Sequence, residues 1–258
     1  MKKIVAFGDS FVQLTHGFGV NWVTLLANRM SLPIVNYGYY GSALGYSLHK
    51  FFEYQASDEF DPEDIIIFVT TNQNRIMTHD LPSPKFGVLQ FQIGMKGLCE
   101  TKAELDWLTE NGEHGLWAME KIYHSSINYE IQKTASTIRV WADANPTNLV
   151  ILIRGSDDDS RFEGLARNFT NSIQSTNNFI SLTDNIGLFS ASSYEFGTDE
   201  KSAMEVSIRF IWARKERRVN HFSPDNLEKL TQMVFDVIVH RNKDYYDLCK
   251  LQRHFLLD

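Results

Sequence analysis

The sequence predicts an α/β fold, a three-layer α/β/α sandwich in which helices cover both faces of a parallel sheet. Five short apolar runs lack the polar alternation of half-exposed strands, as expected for parallel strands that are buried on both faces. Helical patterns separate these runs, and such alternation produces right-handed crossovers and a layered arrangement. The predicted strands are Ile4–Phe7, Pro33–Val35, Ile65–Val69, Leu149–Ile153 and Phe179–Leu182.

Three helices are predicted from apolar residues that recur at helical spacing. The first covers Asn21 to Met30, and the second precedes the fourth strand and ends before Pro146. The last helix has Ser223 as a candidate N-cap and Pro224 at its first position. The recurring residues are Trp22, Leu25, Leu26 and Met30 in the first helix, Ile127, Ile131, Ala135, Ile138 and Trp141 in the second, and Leu227, Leu230, Val234, Val237 and Ile238 in the last.

Two long segments interrupt the alternation, at residues 76–123 and 183–220. Connections of this length inside a compact domain are usually functional or disordered. The first segment contains several aromatic residues, which are expected to form a small core of their own or a lid over a site. Because no linker, internal repeat or low-complexity tract is present, we predict one domain over residues 1–258 with two insertions.

Composition limits the classes of function. With 258 residues, 43% of them hydrophobic, the chain can bury a substantial core and is not expected to be disordered. A net charge of −7 gives no basic signature for nucleic acid, and no apolar run reaches the length of a membrane span. The two cysteines form no disulfide framework, and the first apolar run is too short for a signal peptide. We therefore expect a cytoplasmic protein that binds neither nucleic acid nor membranes.

The first candidate catalytic motif is Gly8-Asp9-Ser10, directly after the first strand. A strand that ends in a small-residue turn before a helix can present a serine hydroxyl at the rim of a sheet. Further candidates follow the next two strands. The segment Asn36 to Gly41 has two glycines, of which Gly38 can turn a main-chain N–H toward a ligand, and Asn72 can donate its side-chain amide to an oxyanion.

A histidine precedes the last helix, at position 221. His221 is suited to accept a serine proton near neutral pH. The other histidines are scattered singly and suggest no metal site. A basic run beside His221 is expected to be a solvated surface or a holder for an anionic substrate group. This run consists of Arg209, Arg214, Lys215, Arg217 and Arg218.

Together these blocks resemble the SGNH (GDSL-like) hydrolases, which carry Ser, Gly, Asn and His in four separated blocks in this order. The resemblance implies a five-stranded parallel sheet close to flavodoxin topology. It implies that Ser10 is the nucleophile and offers its N–H to an oxyanion hole. Gly38 and Asn72 would be further oxyanion donors, and His221 would be the general base.

The sequence departs from the family pattern at three positions. Thr70 and Gln73 stand where the family has glycine and aspartate, and Arg218 stands where it has the acid that orients the histidine. Loss of that acid from a serine protease costs about 10⁴ in turnover. Glu216 can replace it if the loop curls differently, whereas Asp225 is expected in the first turn of the last helix. A Ser–His dyad steadied by a main-chain carbonyl is another arrangement.

The sequence therefore predicts a serine esterase without cofactor or metal, acting on a small ester such as an O-acetyl group on a sugar or glycan. The alternative is a catalytically degenerate domain of the same fold that binds a ligand or a protein, which the residue at position 218 motivates. A third hypothesis is an assembly protein whose insertions form an oligomer interface, and an oligomer is compatible with all three.

Overall fold

The structure is a computed structural model of the 258-residue chain. It describes residues 1–9, 11–13, 21–39, 42–71, 76–77, 88–89, 133–155, 174–183, 187–188, 222 and 224–251. Most of the two predicted insertions, residues 76–123 and 183–220, therefore lies outside the described residues.

A five-stranded, all-parallel sheet forms the centre of the fold. Its strands are β1 (Ile4–Phe7), β2 (Ile34–Asn36), β3 (Ile65–Val69), β6 (Leu149–Ile153) and β7 (Phe179–Leu182), in the spatial order β2-β1-β3-β6-β7. A separate antiparallel pair joins β4 (Ile76–Met77) to β5 (Val88–Leu89). The predicted parallel sheet is confirmed, although β2 begins one residue later than predicted.

Helices lie on both faces of the sheet. They are α1 (Trp22–Met30), α2 (Leu44–Gln55), α3 (residues 133–144) and α4 (Pro224–His240), followed by 3₁₀ turns at Lys243–Tyr245 and Leu248–Lys250. Helix α2 was not predicted from the sequence. Among the helices that the structure describes, none has the length and apolar character needed to cross a membrane.

Two hydrophobic cores, one on each face, confirm the three-layer arrangement. Alternate residues of each strand point to opposite faces, so Ile4 packs with α1 and α4, whereas Val5 packs with α2 and α3. Trp22 and Phe51 are among the largest fully buried side chains of the two cores. Each fully buried large apolar side chain stabilises the fold by roughly 1.5–3 kcal/mol.

The strand order creates a switch point between β1 and β3. The chain leaves β1 through α1 on one face, and it leaves β2 through α2 on the other face before returning to β3. In doubly wound sheets, such a switch point leaves a crevice outside the carboxyl ends of the two strands. Ligands of doubly wound sheets bind in this crevice.

Candidate active site at the carboxyl edge of the sheet

The turn after β1 begins with a capping aspartate. The main-chain oxygen of Asp9 accepts hydrogen bonds from the N–H groups of Val12 and Gln13, both at 3.0 Å. Its side-chain Oδ1 accepts the N–H of Phe11 at 3.1 Å. This is the geometry of an aspartate that caps one turn of helix. Ser10, the predicted nucleophile, comes between Asp9 and Phe11 in the sequence and is outside the described residues.

The start of α1 holds the same turn from one side. Asn21 caps α1 by accepting the N–H of Val23 at 2.8 Å, and its amide Nδ2 donates to the carbonyls of Phe11 and Gln13 at 3.1 and 3.0 Å. The indole Nε1 of Trp22 also donates to the Phe11 carbonyl, at 2.7 Å. The carbonyls on both sides of Val12 are therefore fixed by side chains of a buried helix end.

The loop after β2 holds the turn from the other side. Asn36 Nδ2 donates to the Val12 carbonyl at 2.6 Å, and Asn36 Oδ1 accepts the N–H of Gly38 at 2.7 Å. A Cβ on Gly38 would lie 2.6 Å from the Gln13 nitrogen and 2.8 Å from the Val12 carbonyl carbon, so the close approach requires glycine. The Gly38 N–H, predicted to face a ligand, is thus bonded within its own loop. It would have to leave Asn36 to serve an oxyanion.

Further along the same loop, two groups attach to the end of β1. The Tyr39 N–H and the Ser42 hydroxyl both donate to the Gly8 carbonyl, at 3.1 Å each. The Tyr39 ring packs against Tyr46 of α2, with centroids 5.8 Å apart. Burial is the main cause that raises the pKa of the Tyr46 phenol, so this hydroxyl is protonated at physiological pH.

The residues after β3 join the site through a threonine hydroxyl. Thr71 is 2% exposed, and its Oγ1 lies 2.9 Å from Asp9 Oδ2 and 2.9 Å from the Ser42 carbonyl oxygen. One side chain thus connects the loops that follow β1, β2 and β3. Asn72, the predicted amide donor, is the next residue and lies beyond the described part of this loop.

The preceding threonine has a structural explanation. Thr70 Oγ1 accepts the N–H of Gly155, after β6, at 3.1 Å, and the Thr70 N–H donates to Ile153 at 2.9 Å. A Cβ on Gly155 would lie only 1.7 Å from the Thr70 carbonyl oxygen. The small residue at this contact is therefore Gly155, after β6, rather than the residue at position 70.

The predicted base and its acid, His221 and Glu216, fall in the part of the chain that the structure leaves undescribed. The residue after the histidine is described. Phe222 is buried, and its ring lies against Phe11 of the turn after β1, with centroids 6.2 Å apart. Asp225 is exposed in the first turn of α4, as predicted.

Sequence reasoning missed three polar residues that hold this site, namely Asn21, Asn36 and Thr71. Each lies at the end of a strand or the start of a helix, next to a motif that the sequence did identify. Each is also tied to the turn after β1 or to its capping Asp9. A buried polar residue needs a hydrogen-bond partner. The polar side chains beside these motifs were therefore the signal in the sequence from which the three residues could have been found.

No metal centre emerges from the described residues, which contain no group of three or more His, Cys, Asp or Glu side chains that could hold an ion. The sequence matches no known protein-family model and no curated protein.

Proposed function

We propose that this chain is a serine esterase of the SGNH type, which cleaves a small ester through an acyl-enzyme intermediate. The observation that carries the proposal is the meeting of distant segments around the turn after β1. Asp9 and Phe11 flank Ser10, and Thr71 precedes Asn72. Because the Thr71 hydroxyl lies 2.9 Å from the Asp9 carboxyl, the segments of nucleophile and amide donor are joined directly.

The segments that carry Gly38 and His221 meet the same turn. The N–H of Tyr39, next to Gly38, donates to the carbonyl before Asp9 at 3.1 Å. The ring of Phe222, next to His221, packs on Phe11 at 6.2 Å between centroids. Described neighbours of all four blocks therefore lie around the turn after β1, and this supports the proposal because doubly wound folds bind ligands at the carboxyl ends of their strands.

In the proposed reaction, the His221 imidazole takes the proton of the Ser10 hydroxyl while Oγ attacks the ester carbonyl carbon. The carbonyl π electrons move to oxygen, and the Ser10 N–H and the Asn72 amide stabilise that oxyanion. Gly38 contributes its N–H when the substrate displaces Asn36. Collapse expels the alcohol, which receives the proton from the imidazolium. Water, deprotonated by His221, then attacks the acyl-enzyme and releases the acid.

Arg218 occupies the position at which the SGNH family has the carboxylate that orients the histidine. We assign this role to Glu216, the nearest acid on the N-terminal side. Asp225 is not assigned, since it is exposed in the first turn of α4. A Glu216→Gln variant should lose turnover by about 10⁴ if the acid fixes the imidazole tautomer as in serine proteases.

The preferred substrate is an O-acetyl group on a sugar or glycan. A long acyl chain requires an apolar channel, and no long apolar stretch adjoins the blocks in the sequence. Hydrolysis of p-nitrophenyl acetate should therefore be faster than hydrolysis of p-nitrophenyl decanoate. The opposite preference would point to a lipid ester.

The direct test compares wild type, Ser10→Ala and a control, Ser57→Ala, in p-nitrophenyl acetate hydrolysis and fluorophosphonate labelling. Ser57 is a matched control because its hydroxyl bonds the Tyr54 carbonyl, before β3. Loss of the serine of a triad costs on the order of 10⁶ in turnover, so Ser10→Ala should be inactive and unlabelled. Ser57→Ala should behave as wild type.

The same experiment separates the enzyme from the degenerate binding domain. A wild-type protein that neither hydrolyses the ester nor reacts with the probe would contradict the esterase proposal. The residue at position 218 would then indicate a ligand-binding site, and a panel of sulfated and phosphorylated sugars would be the first ligands to test against the basic run.

A further inference from the structure

We propose that Thr71 is a positioning residue, which sets the distance between the nucleophile turn and the amide donor of the oxyanion hole. This inference rests on the proposed esterase function. Thr71 follows β3 and is 2% exposed, so its hydroxyl has to find its partners within the protein. Those partners are Asp9 Oδ2 and the Ser42 carbonyl oxygen, both at 2.9 Å.

The contact with Asp9 transmits directly to the nucleophile. Asp9 uses its other carboxyl oxygen, Oδ1, to accept the N–H of Phe11 at 3.1 Å. The hydrogen bonds from Thr71 to Asp9 and from Asp9 to Phe11 therefore tie Thr71 to the residues before and after position 10. A shift of the Thr71 hydroxyl would move the cap that defines the turn around Ser10.

Thr71 is also next to the predicted oxyanion donor in the chain. It is one peptide bond from Asn72, so a hydrogen bond that fixes Thr71 also fixes where the next residue leaves β3. The strands themselves are adjacent, with Phe7 of β1 in register with Phe68 of β3. Thr71 thus bridges the switch point at the level where the nucleophile and the oxyanion donor have to meet.

The Ser42 contact adds the third loop. The Ser42 hydroxyl donates to the Gly8 carbonyl at 3.1 Å, while its own carbonyl lies 2.9 Å from Thr71 Oγ1. A threonine hydroxyl has one hydrogen, which these two acceptors share. Buried hydrogen bonds of this kind depend on one another, so a single hydroxyl influences the geometry of the whole crevice.

The test uses Thr71→Val, which keeps the side-chain shape without the hydroxyl, and Thr71→Ser, which keeps the hydroxyl. The control is Thr134→Val, because Thr134 is also buried but lies in α3, which packs on the face of the sheet opposite to α1. Misplacement of reacting groups by about 1 Å can cost 10²-fold in rate. We expect kcat of Thr71→Val to fall about tenfold to a hundredfold, with KM changed less than about twofold.

Thr71→Ser should recover most of the kcat, and Thr134→Val should match wild type when rates are corrected for folded protein. A Thr71→Val variant with wild-type kcat and a lowered melting temperature would overturn the positioning role. So would a Thr71→Ser variant as impaired as Thr71→Val. If wild type itself fails to react with p-nitrophenyl acetate and the fluorophosphonate, the esterase proposal fails first and this inference fails with it.

Discussion

The amino ends and the carboxyl ends of the parallel strands form two opposite edges of the sheet. Each of these edges buries an aspartate, and the two carboxyl groups have different kinds of partner. Asp64 precedes β3 at the amino edge and is fully buried, whereas Asp9 follows β1 at the carboxyl edge and is 2% exposed. The Lys3 ammonium lies 3.1 Å from Asp64 Oδ2. Asp9 receives a main-chain N–H and the hydroxyl of Thr71.

Among the described residues, the partners of Asp64 lie just before strands, near the end of α2 or in the loop between α2 and β3. Lys3 donates its main-chain N–H at 2.9 Å, Asp61 donates its N–H at 3.1 Å, and the Tyr54 hydroxyl also donates to the carboxyl group. Asn148, just before β6, donates to the Asp64 carbonyl at 3.1 Å. This cluster fixes how β1, β3 and β6 begin, and it contains none of the predicted catalytic segments.

Buried carboxyl groups therefore have two roles in this fold. Asp64 stabilises the sheet at the amino edge, whereas Asp9 organises the loops at the carboxyl edge. Breaking a buried ion pair leaves a charge without its partner and costs stability. Loosening a cap between loops mainly changes where the loops lie. Substitutions at the amino edge should therefore lower stability without changing kcat, and substitutions at the carboxyl edge should change kcat.

The largest effect on stability is expected for Asp64→Ala. Removing one partner of a buried ion pair costs about 3–5 kcal/mol, and the Tyr54 hydroxyl loses its acceptor as well. Urea unfolding monitored by fluorescence should show this loss. The esterase kcat, measured per folded molecule, should remain that of wild type.

Asp58→Ala is the control for this substitution, because Asp58 is exposed in the same loop. It should change the free energy of unfolding by no more than about 0.5 kcal/mol, as surface substitutions generally do. A fall in kcat of Asp64→Ala in fully folded samples would contradict the separation of the two edges.

A smaller effect on stability and a larger one on activity are expected for Gly38→Ala. The added Cβ would meet the Gln13 nitrogen at 2.6 Å, so the turn after β1 and the loop after β2 have to move apart. Overpacking of this kind costs about 1–3 kcal/mol, and a displaced turn should lower kcat by about 10²-fold. Thermal melting and ester hydrolysis measure the two consequences.

Gly45→Ala is the matched control, because Gly45 is exposed in the first turn of α2. Replacing a helical glycine by alanine stabilises a protein by about 0.4–1 kcal/mol. Unchanged activity in Gly38→Ala would show that the contact between the two loops does not position the catalytic residues.

The three central strands could be predicted from the sequence because each is a continuous apolar run with both faces buried. Ile65–Val69 and Leu149–Ile153 begin and end as predicted. Helix α2 was missed because much of its inner face is aromatic or polar rather than aliphatic. Tyr46, Ser47 and Tyr54 are buried there, and a pattern search for Leu, Ile and Val does not find them.

The candidate site could be predicted as motifs but not as contacts. Glycine at position 38 indicated an N–H available to a ligand, yet the bond to Asn36 depends on how the loop folds back. The threonine at position 70 looked like a departure from the family pattern. Its partner Gly155 lies 85 residues away in sequence, and no local pattern relates the two.

The smallest expected effect is the pH dependence of stability that Tyr54 contributes at the amino edge. Burial, and then the hydrogen bond and charge of Asp64, raise the pKa of the Tyr54 hydroxyl above 10.0, the value for an exposed tyrosine. The folded state therefore holds the proton more tightly than the unfolded state does. This contribution to stability is present below pH 10 and is lost as the pH rises above it, because unfolded Tyr54 then ionises.

Tyr54→Phe removes both the hydrogen bond and this pH dependence. At pH 8 the variant should be less stable than wild type by about 1 kcal/mol, the usual net contribution of one hydrogen bond. Urea unfolding at intervals from pH 8 to pH 11 should show that the difference is constant up to about pH 9 and then shrinks. A constant difference across the whole range would mean that the Tyr54 proton is not held by the fold, and the amino edge would then stabilise the sheet through Asp64 and Lys3 alone.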